Sequence, residues 1–249
     1  MNYITPCNTI ARAHFPMRGK SSKPNYRTAQ AAFTLVEMLV VITIIGILLT
    51  VGALGLRNLS KSSGVSAGVP LAEAVFAEAR AVSTGNGGAA RVLVAADPSD
   101  EERYLSYMVV VRQSENGNWV ATGRGTYLPK GVYFSQEYSY LEHSAESGEI
   151  PSENHEIFSS DDSGSSNSNL SGDYFYYQFN SEGNAVDAGA SFIVGAGSKA
   201  PGVDNPRVST GSGAANFGGF IVWRKGTTSV FRHPDQMNIP DEVEGGDEF

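Results

Sequence analysis

The ionisable group in the most unusual setting is a carboxylate at the start of a long apolar run. Glu37 is followed by residues 38–56, MLVVITIIGILLTVGALGL, which carry no charge. An ionised acid at the centre of a membrane helix costs about 2.5 to 3.5 kcal/mol, and less near the interface, so such a group normally finds a partner. Position alone leaves two interpretations open: Glu37 extends to the lipid headgroups at little cost, or it pairs with a cation.

A second set of potentially reactive side chains lies in an acidic segment. His143 and His155 are accompanied by Glu142, Glu146, Glu149, Glu153 and Glu156. Such a set could form a metal site or an acid/base pair, but no two members have the helical spacing of a metalloprotease and no scaffold fixes a third ligand. The pattern therefore favours a solvated acidic loop without a metal.

Further along the same segment, oxygen-bearing side chains could bind calcium. Asp161-Asp162 is followed by Gly164, Asn167 and Asn169. Their order does not match an EF-hand loop. We expect no cofactor, with calcium in this loop as the alternative.

Motifs for catalysis are missing from the sequence. Residues 195–200, GAGSKA, lack the four-residue gap of a phosphate loop, and Ala200 replaces the hydroxyl that would bind magnesium. No nucleophile elbow is present. We therefore predict a flexible loop at 195–200 and a protein that is not an enzyme.

The apolar run predicts a membrane helix. Together with Phe33 to Val36 it is long enough to cross a bilayer core of ~30 Å at 1.5 Å per residue. The first 32 residues contain five basic and no acidic residues. The positive-inside tendency then keeps the N-terminus in the cytoplasm and sends the C-terminal body across the membrane.

Charge and cysteine usage limit the partners of that body. Without residues 1–32 the chain has 13 basic and 26 acidic residues, a formal charge of −13. Such a body repels phosphate backbones, so we expect no nucleic-acid binding. The single cysteine, Cys7, lies in the basic segment, so the body can form neither a disulfide nor a thiolate metal site.

Helix-breaking residues follow the apolar run. Gly64, Gly68 and Pro70 predict a break or bend, and hence a hinge, because proline cannot donate to the preceding turn and glycine is a poor helix former. A second helix would open at Pro70 and carry one apolar stripe, formed by Leu71, Val75, Ala79 and Val82.

From Arg91 onward the apolar spacing becomes that of strands. The predicted strands are Arg91–Ala95, Tyr104–Arg112, Trp119–Thr122, Gly125–Phe134, Tyr174–Phe179, Ala190–Val194, Phe217–Trp223 and Ser229–Arg232. Two pairs form hairpins that turn at Asn116-Gly117 and Lys225-Gly226, where glycine supplies a positive φ. A helix followed by antiparallel strands predicts an α+β fold, with a long N-terminal helix packed on an antiparallel sheet.

Polar segments interrupt the strands. Residues 135–172 contain 12 Ser, six Glu and two Asp but no Lys or Arg, and 195–216 are rich in Gly, Ala, Ser and Pro. Both are predicted surface loops. The last nine residues, 241–249, include five acids and are predicted to fray.

The string Ala32-Phe33-Thr34-Leu35-Val36-Glu37, with the span after it, resembles the N-terminus of type IV pilins and type II secretion pseudopilins. The resemblance covers residues 30–57 and implies that a prepilin peptidase cuts between Ala32 and Phe33 and methylates the new amine of Phe33. It also implies that Glu37 is the carboxylate used in filament assembly. The family usually has glycine before the cut, where this chain has Ala32.

The resemblance implies four regions: a removed leader at 1–32, a transmembrane and assembly helix at 33–63, a periplasmic pilin-like domain at 64–240 and the acidic tail. The segment LAEAVFAEARAVSTGNGGAARVLVA resembles minor pseudopilins of the H type. Other pilin-like subunits, an inner-membrane assembly platform and membrane lipid are the implied partners.

The leading hypothesis is a minor pseudopilin of a type II secretion filament, anchored in the inner membrane before it enters the filament. A minor type IV pilin acting in adhesion, motility or DNA uptake is the alternative within the same class. A membrane-tethered binding module that uses the pilin-like start only for sorting is the alternative from another class.

Overall fold

The computed structural model describes residues 34–161, 164–199, 205–208, 210–211, 214–240 and 249, with the backbone alone for 50–63, 210–211 and 214–215. The predicted leader and Phe33 lie outside the described residues. The chain divides into two units, Met1–Leu48 and Leu49–Phe249.

One helix, α1 (Leu35–Asn86), runs through the segment where a break was predicted. Pro70 lies inside it, and the predicted interruption between Gly64 and Pro70 is therefore wrong. A Cβ added at Gly64 or Gly68 would stand 3.0 or 3.2 Å from the Val132 side chain. The two glycines thus permit close helix–sheet packing, and this packing outweighs their low helix propensity. That function replaces the predicted hinge.

Within the part of the chain that the structure describes, no helix combines the length and the apolar character needed to cross a membrane.

The strands follow α1. In chain order, those described are β1 (Ala90–Ala95), β2 (Tyr107–Gln113), β3 (Trp119–Ala121), β4 (Thr126–Tyr127), β5 (Val132–Phe134), β6 (Tyr140–Glu142), β7 (Ser147–Glu149), β8 (Ser152–His155), β9 (Ile157–Phe158), β10 (Gly172–Phe179), β11 (Ala190–Ser198), β12 (Arg207–Val208), β13 (Thr210–Gly211), β14 (Ala214–Ala215), β15 (Phe217–Val222) and β16 (Thr228–Val230).

These strands form two main sheets and two ribbons. A seven-stranded sheet has the order β8-β10-β1-β2-β3-β9, with β4 paired to β2. A five-stranded sheet has the order β12-β11-β15-β16, with β5 paired to β11. Among the described pairs only β3 with β9 is parallel. The α+β prediction is confirmed, although one sheet was expected and two are found.

The core lies where α1 meets the sheets. Buried side chains recur along the helix at Val65, Val69, Ala72, Phe76 and Ala79, a spacing of three or four residues that keeps them on one face. The sequence had predicted a stripe formed by Leu71, Val75, Ala79 and Val82. Of these, Val75 and Ala79 are buried, while Leu71 and Val82 are only partly buried at the edge of the core.

Both predicted hairpins are confirmed. Gly117 adopts φ +87° between β2 and β3, and Gly226 adopts φ +69° between β15 and β16. The predicted strand Gly125–Phe134 is instead two strands, β4 and β5. They are separated by a turn in which the Val132 N–H donates to the Pro129 carbonyl oxygen over 2.9 Å.

The segment 135–172 is not the surface loop that its composition predicted. It contains four strands, β6 to β9, and buries Ser135, Ser139, Ile150 and Ile157. Its strands β8 and β9 pair with β10 and β3 and so extend the seven-stranded sheet at both ends. Composition misleads here because the exposed positions of β7 and β8 carry Ser, Gly, Glu and Asn, residues that are also common in loops.

Two further loop predictions also need correction. Residues 195–198 belong to β11, so the predicted flexible loop at 195–200 begins as a strand. Phe249, at the end of the segment predicted to fray, is buried with 9 % of its surface exposed.

Replacing Phe76 with alanine should destabilise the domain more than other core truncations. Its side chain is fully buried, and four aromatic rings surround it at centroid distances of 5.0 to 6.3 Å. We expect Phe76→Ala to lower the free energy of unfolding by about 3 to 5 kcal/mol, measured by denaturant titration. Val186→Ala, at a position 54 % exposed, is the control and should change it by less than about 0.5 kcal/mol.

Candidate functional site

The helix α1 begins at the motif that the sequence singled out. The Thr34 hydroxyl oxygen accepts a hydrogen bond from the Glu37 backbone N–H over 3.2 Å, and the Thr34 carbonyl accepts one from Met38 over 3.2 Å. Thr34 is therefore the N-cap, and Glu37 three residues later has the spacing of a capping box. A carboxylate in the first turn also interacts favourably with the helix dipole. Thr34 and Glu37 thus have a local role in starting the helix.

The helix that starts there presents an exposed apolar surface. Glu37 is the only charged residue between Thr34 and Leu49. Twelve large apolar side chains in this stretch are 42 to 82 % exposed: Leu35, Val36, Met38, Leu39, Val40, Val41, Ile42, Ile44, Ile45, Ile47, Leu48 and Leu49. They occupy nearly consecutive positions and so cover every side of the helix. Such a stretch requires apolar surroundings supplied by lipid or by other protein chains.

The other polar side chain of this stretch, that of Thr43, forms its hydrogen bond within the helix. The Thr43 hydroxyl donates to the Leu39 carbonyl oxygen over 2.7 Å. Glu37 is therefore the one charged side chain of the stretch between Thr34 and Leu49. The predicted cleavage residues Ala32 and Phe33 lie outside the described residues.

Arg91 organises a polar cluster that the sequence did not reveal. Its guanidinium lies between the rings of Trp119 and Tyr176, 4.3 and 4.0 Å from their centroids. It donates to Gln178 Oε1 and to Glu153 Oε2, each over 2.8 Å. The cluster joins β1, β3, β8 and β10. Arg91 begins the predicted strand Arg91–Ala95, but nothing in the sequence indicated which partners it would contact.

His155 belongs to the same cluster. Its Nδ1 lies 2.9 Å from the Glu153 carbonyl oxygen, and its Nε2 lies 2.9 Å from an Arg91 guanidinium nitrogen. The ring therefore carries its proton on Nδ1 and accepts at Nε2. Burial lowers the pKa of His155; the hydrogen bond to the Glu153 carbonyl opposes this, and the positive charge of Arg91 adds to it. The histidine predicted to lie in a solvated loop is 1 % exposed.

His143 is also buried, with 4 % of its surface exposed. Its Nε2 lies 2.8 Å from the Gln236 carbonyl oxygen, and Asn238 donates to the His143 carbonyl oxygen over 3.0 Å. The ring stacks against Phe231 at 4.9 Å. His143 thus fastens the short 3₁₀ helix Pro234–Met237 to the domain and stands apart from His155.

The other candidate sites are described only in part. Asp161 forms an ion pair with Arg112, and Asp162 lies outside the described residues. Gly195 and Gly197 lie within β11. Among the residues that the structure describes, no three His, Cys, Asp or Glu side chains are grouped to hold a metal ion.

A family model for the prokaryotic N-terminal methylation motif matches residues 27–53, which include the capped helix start and most of the apolar stretch. No curated protein and no solved structure matches the chain. The motif indicates a type IV pilin-like protein, either a pilin or a pseudopilin. It implies processing by a prepilin peptidase, a membrane-associated N-terminal anchor and assembly with other pilin-like subunits, and proteins with this motif are structural subunits.

Because burial lowers the pKa of His155, the domain should lose stability as the pH falls. The unfolded chain binds this proton near pH 6.5, whereas the folded chain binds it only at lower pH, so unfolding is coupled to proton uptake below pH 6.5. Protonation would also place a cation against Arg91. We expect His155→Gln to reduce the slope of the unfolding free energy between pH 5 and about 6.5.

The control is His233→Gln, at an exposed histidine, which should keep the wild-type slope. Denaturant titrations at a series of pH values measure both variants. An unchanged slope in His155→Gln would contradict the assignment.

Proposed function

We propose that the protein is a minor pseudopilin of a type II secretion machine. It is inserted in the inner membrane with its N-terminus in the cytoplasm and its domain in the periplasm, and it then enters a short filament that helps exported proteins cross the outer membrane. The observation that carries the proposal is a methylation motif whose matched region holds an exposed, all-apolar helix with one carboxylate at its capped start.

The apolar helix suits both proposed stages, insertion in the membrane and packing in the filament. Its side chains suit lipid before assembly and the helices of neighbouring subunits afterwards, because both surroundings are apolar. Membrane lipid, the inner-membrane assembly platform and other pseudopilins are the corresponding partners.

Glu37 would direct assembly by charge. Cleavage between Ala32 and Phe33 creates an amine that stays cationic after methylation, and the Glu37 carboxylate of a neighbouring subunit is its opposite charge. In apolar surroundings such a pair is strongly coupled, and loss of one partner leaves a buried charge uncompensated. The pair would therefore fix the axial register of stacked helices.

The H-type assignment is supported by the order of elements after the apolar stretch. The helix α1 ends at Asn86, Gly87 turns with φ +64°, and β1 begins at Ala90. This helix, short turn and first strand correspond to the segment that resembles H-type pseudopilins. The same N-terminus would serve a minor type IV pilin. The two roles are therefore distinguished by the phenotype of cells that lack the protein.

Glu37→Gln should abolish incorporation into the filament while the domain stays folded. Glutamine keeps the size of the side chain and removes its charge, and the domain core begins far along the helix at Val65. Incorporation is measured by shearing filaments from cells and quantifying the subunit. We expect at least a tenfold loss, which corresponds to about 1.4 kcal/mol.

Glu101→Gln is the matched control, because Glu101 is an exposed acid of the domain. It should assemble like the wild type. Normal assembly of Glu37→Gln would overturn the role of Glu37 in assembly. Absence of the wild-type subunit from sheared filaments would exclude the filament role and favour the membrane-tethered binding module. Deletion of the gene then separates the remaining candidates: a secretion subunit loses exoprotein export, and a pilus subunit loses adhesion, motility or DNA uptake.

The mature chain should begin at N-methylated Phe33. Intact-mass and N-terminal peptide analysis in cells with an active prepilin peptidase tests this. Ala32→Gly should be processed in the same way because it keeps a small residue before the cut, whereas Ala32→Leu should retain the leader. A mature wild-type chain that still contains Cys7 would refute the cleavage assignment.

A further inference from the structure

Two glycines form a flat floor on one face of β11. Gly195 and Gly197 are two residues apart and so share a face of the strand, while Ala196 between them faces the core. Glycine in a strand interior costs about 0.5 to 1 kcal/mol relative to alanine and often marks a close approach by another group. Both glycines therefore need a packing reason.

Aromatic side chains stand on either side of this floor. Gly195 pairs with Tyr133 of β5 on one side and with Phe217 of β15 on the other. Cross-strand partners project to the same face of a sheet. The two rings thus form the walls of a notch whose floor is glycine.

The ring of Phe249 fills this notch. Its centroid lies 5.8 Å from that of Tyr133 and 5.9 Å from that of Phe217. A Cβ added at Gly195 would stand 2.6 Å from the Phe249 ring, and one added at Gly197 would overlap the same ring. The Phe249 N–H donates to the Pro206 carbonyl oxygen over 3.3 Å, which ties the residue to the start of β12.

We propose that Gly195, Gly197, Tyr133 and Phe217 form a docking site for an aromatic side chain, and that Phe249 is its ligand. The seated ring is the observation that identifies the occupant, and the absence of side chains on the floor is what admits it. The site holds Phe249 reversibly, since one ring and one backbone hydrogen bond fasten it. The inference does not depend on filament assembly.

Phe249 competes with any free copy of the segment because it is tethered to the domain. Burial of a phenylalanine side chain contributes about 1.5 to 3 kcal/mol, which gives only weak binding to a free peptide. Attachment to the chain raises the effective concentration of Phe249 to about the millimolar range. A free copy of the segment must compete with this intramolecular ligand, so it fills more of the site when Phe249 is removed.

The test uses the full chain labelled with ¹⁵N-glycine and the synthetic peptide DEVEGGDEF, which repeats residues 241–249. In the Phe249→Ala chain the notch is open, so peptide titrated to about tens of millimolar should shift the Gly195 and Gly197 amide resonances saturably. The wild-type chain should need more peptide for the same shift, because its own Phe249 competes. Gly117 and Gly123, in other loops, are internal controls and should not move.

Two controls test whether the aromatic ring of the peptide, rather than its acidic residues, binds in the notch. The peptide DEVEGGDEA keeps all five acids and lacks the ring, so it should not shift either glycine. Gly197→Val in the Phe249→Ala background should block the wild-type peptide, and Gly123→Val, at a position with no atom within 4 Å, should leave binding intact.

Because the peptide comparison needs no substitution beyond Phe249→Ala, it remains decisive even if Gly197→Val fails to fold. Equal shifts from the two peptides, equal binding by wild type and Phe249→Ala, or no saturable shift in Phe249→Ala would each overturn the proposal.

Discussion

The contact of α1 with both sheets is the interaction on which the domain depends. Phe76 projects from the helix and meets Tyr177 and Phe179 of the seven-stranded sheet, and Phe192 and Phe220 of the five-stranded sheet. Edge-to-face aromatic pairs of this kind add to the apolar burial that each ring contributes. One helical side chain therefore joins two sheets that share no strand, and the β-structure is arranged around the helix rather than the reverse.

The dependence of the domain on this helix–sheet contact explains why the effect of Gly64 and Gly68 was predicted wrongly from the sequence. Gly64 and Gly68 on the helix face Val132, and Gly218 on β15 faces Val65 and Val69 of the helix. In each place a missing side chain lets two backbones approach closely. The low helix propensity of glycine, on which the predicted break was based, costs a helix about 1 kcal/mol per glycine. Burial of the valines opposite the glycines stabilises the helix by more than this cost. Local sequence signals cannot report a contact with a strand many residues away.

The sequence predicted the two hairpins because these follow from neighbours in the chain. The positive φ at Gly117 and Gly226 is a local effect of this kind. The segment 135–172 could not be predicted in the same way, since its strands β8 and β9 are fixed by partners at a distance. His155 illustrates the difference, because its burial results from Arg91, which lies 64 positions earlier.

The two ends of the continuous helix α1 differ in how their apolar side chains are distributed. From Val65 to Ala79 the helix has one buried face and one polar face, as an amphipathic helix on a sheet requires. From Leu35 to Leu49 it is apolar on every side and leaves Glu37 as its only charge. The first pattern is satisfied within the chain and the second is not. The N-terminal stretch thus exposes apolar surface that the described residues do not cover. Apolar contact is non-directional, so on the proposed assembly the single carboxylate would select one register among the many that such a surface allows.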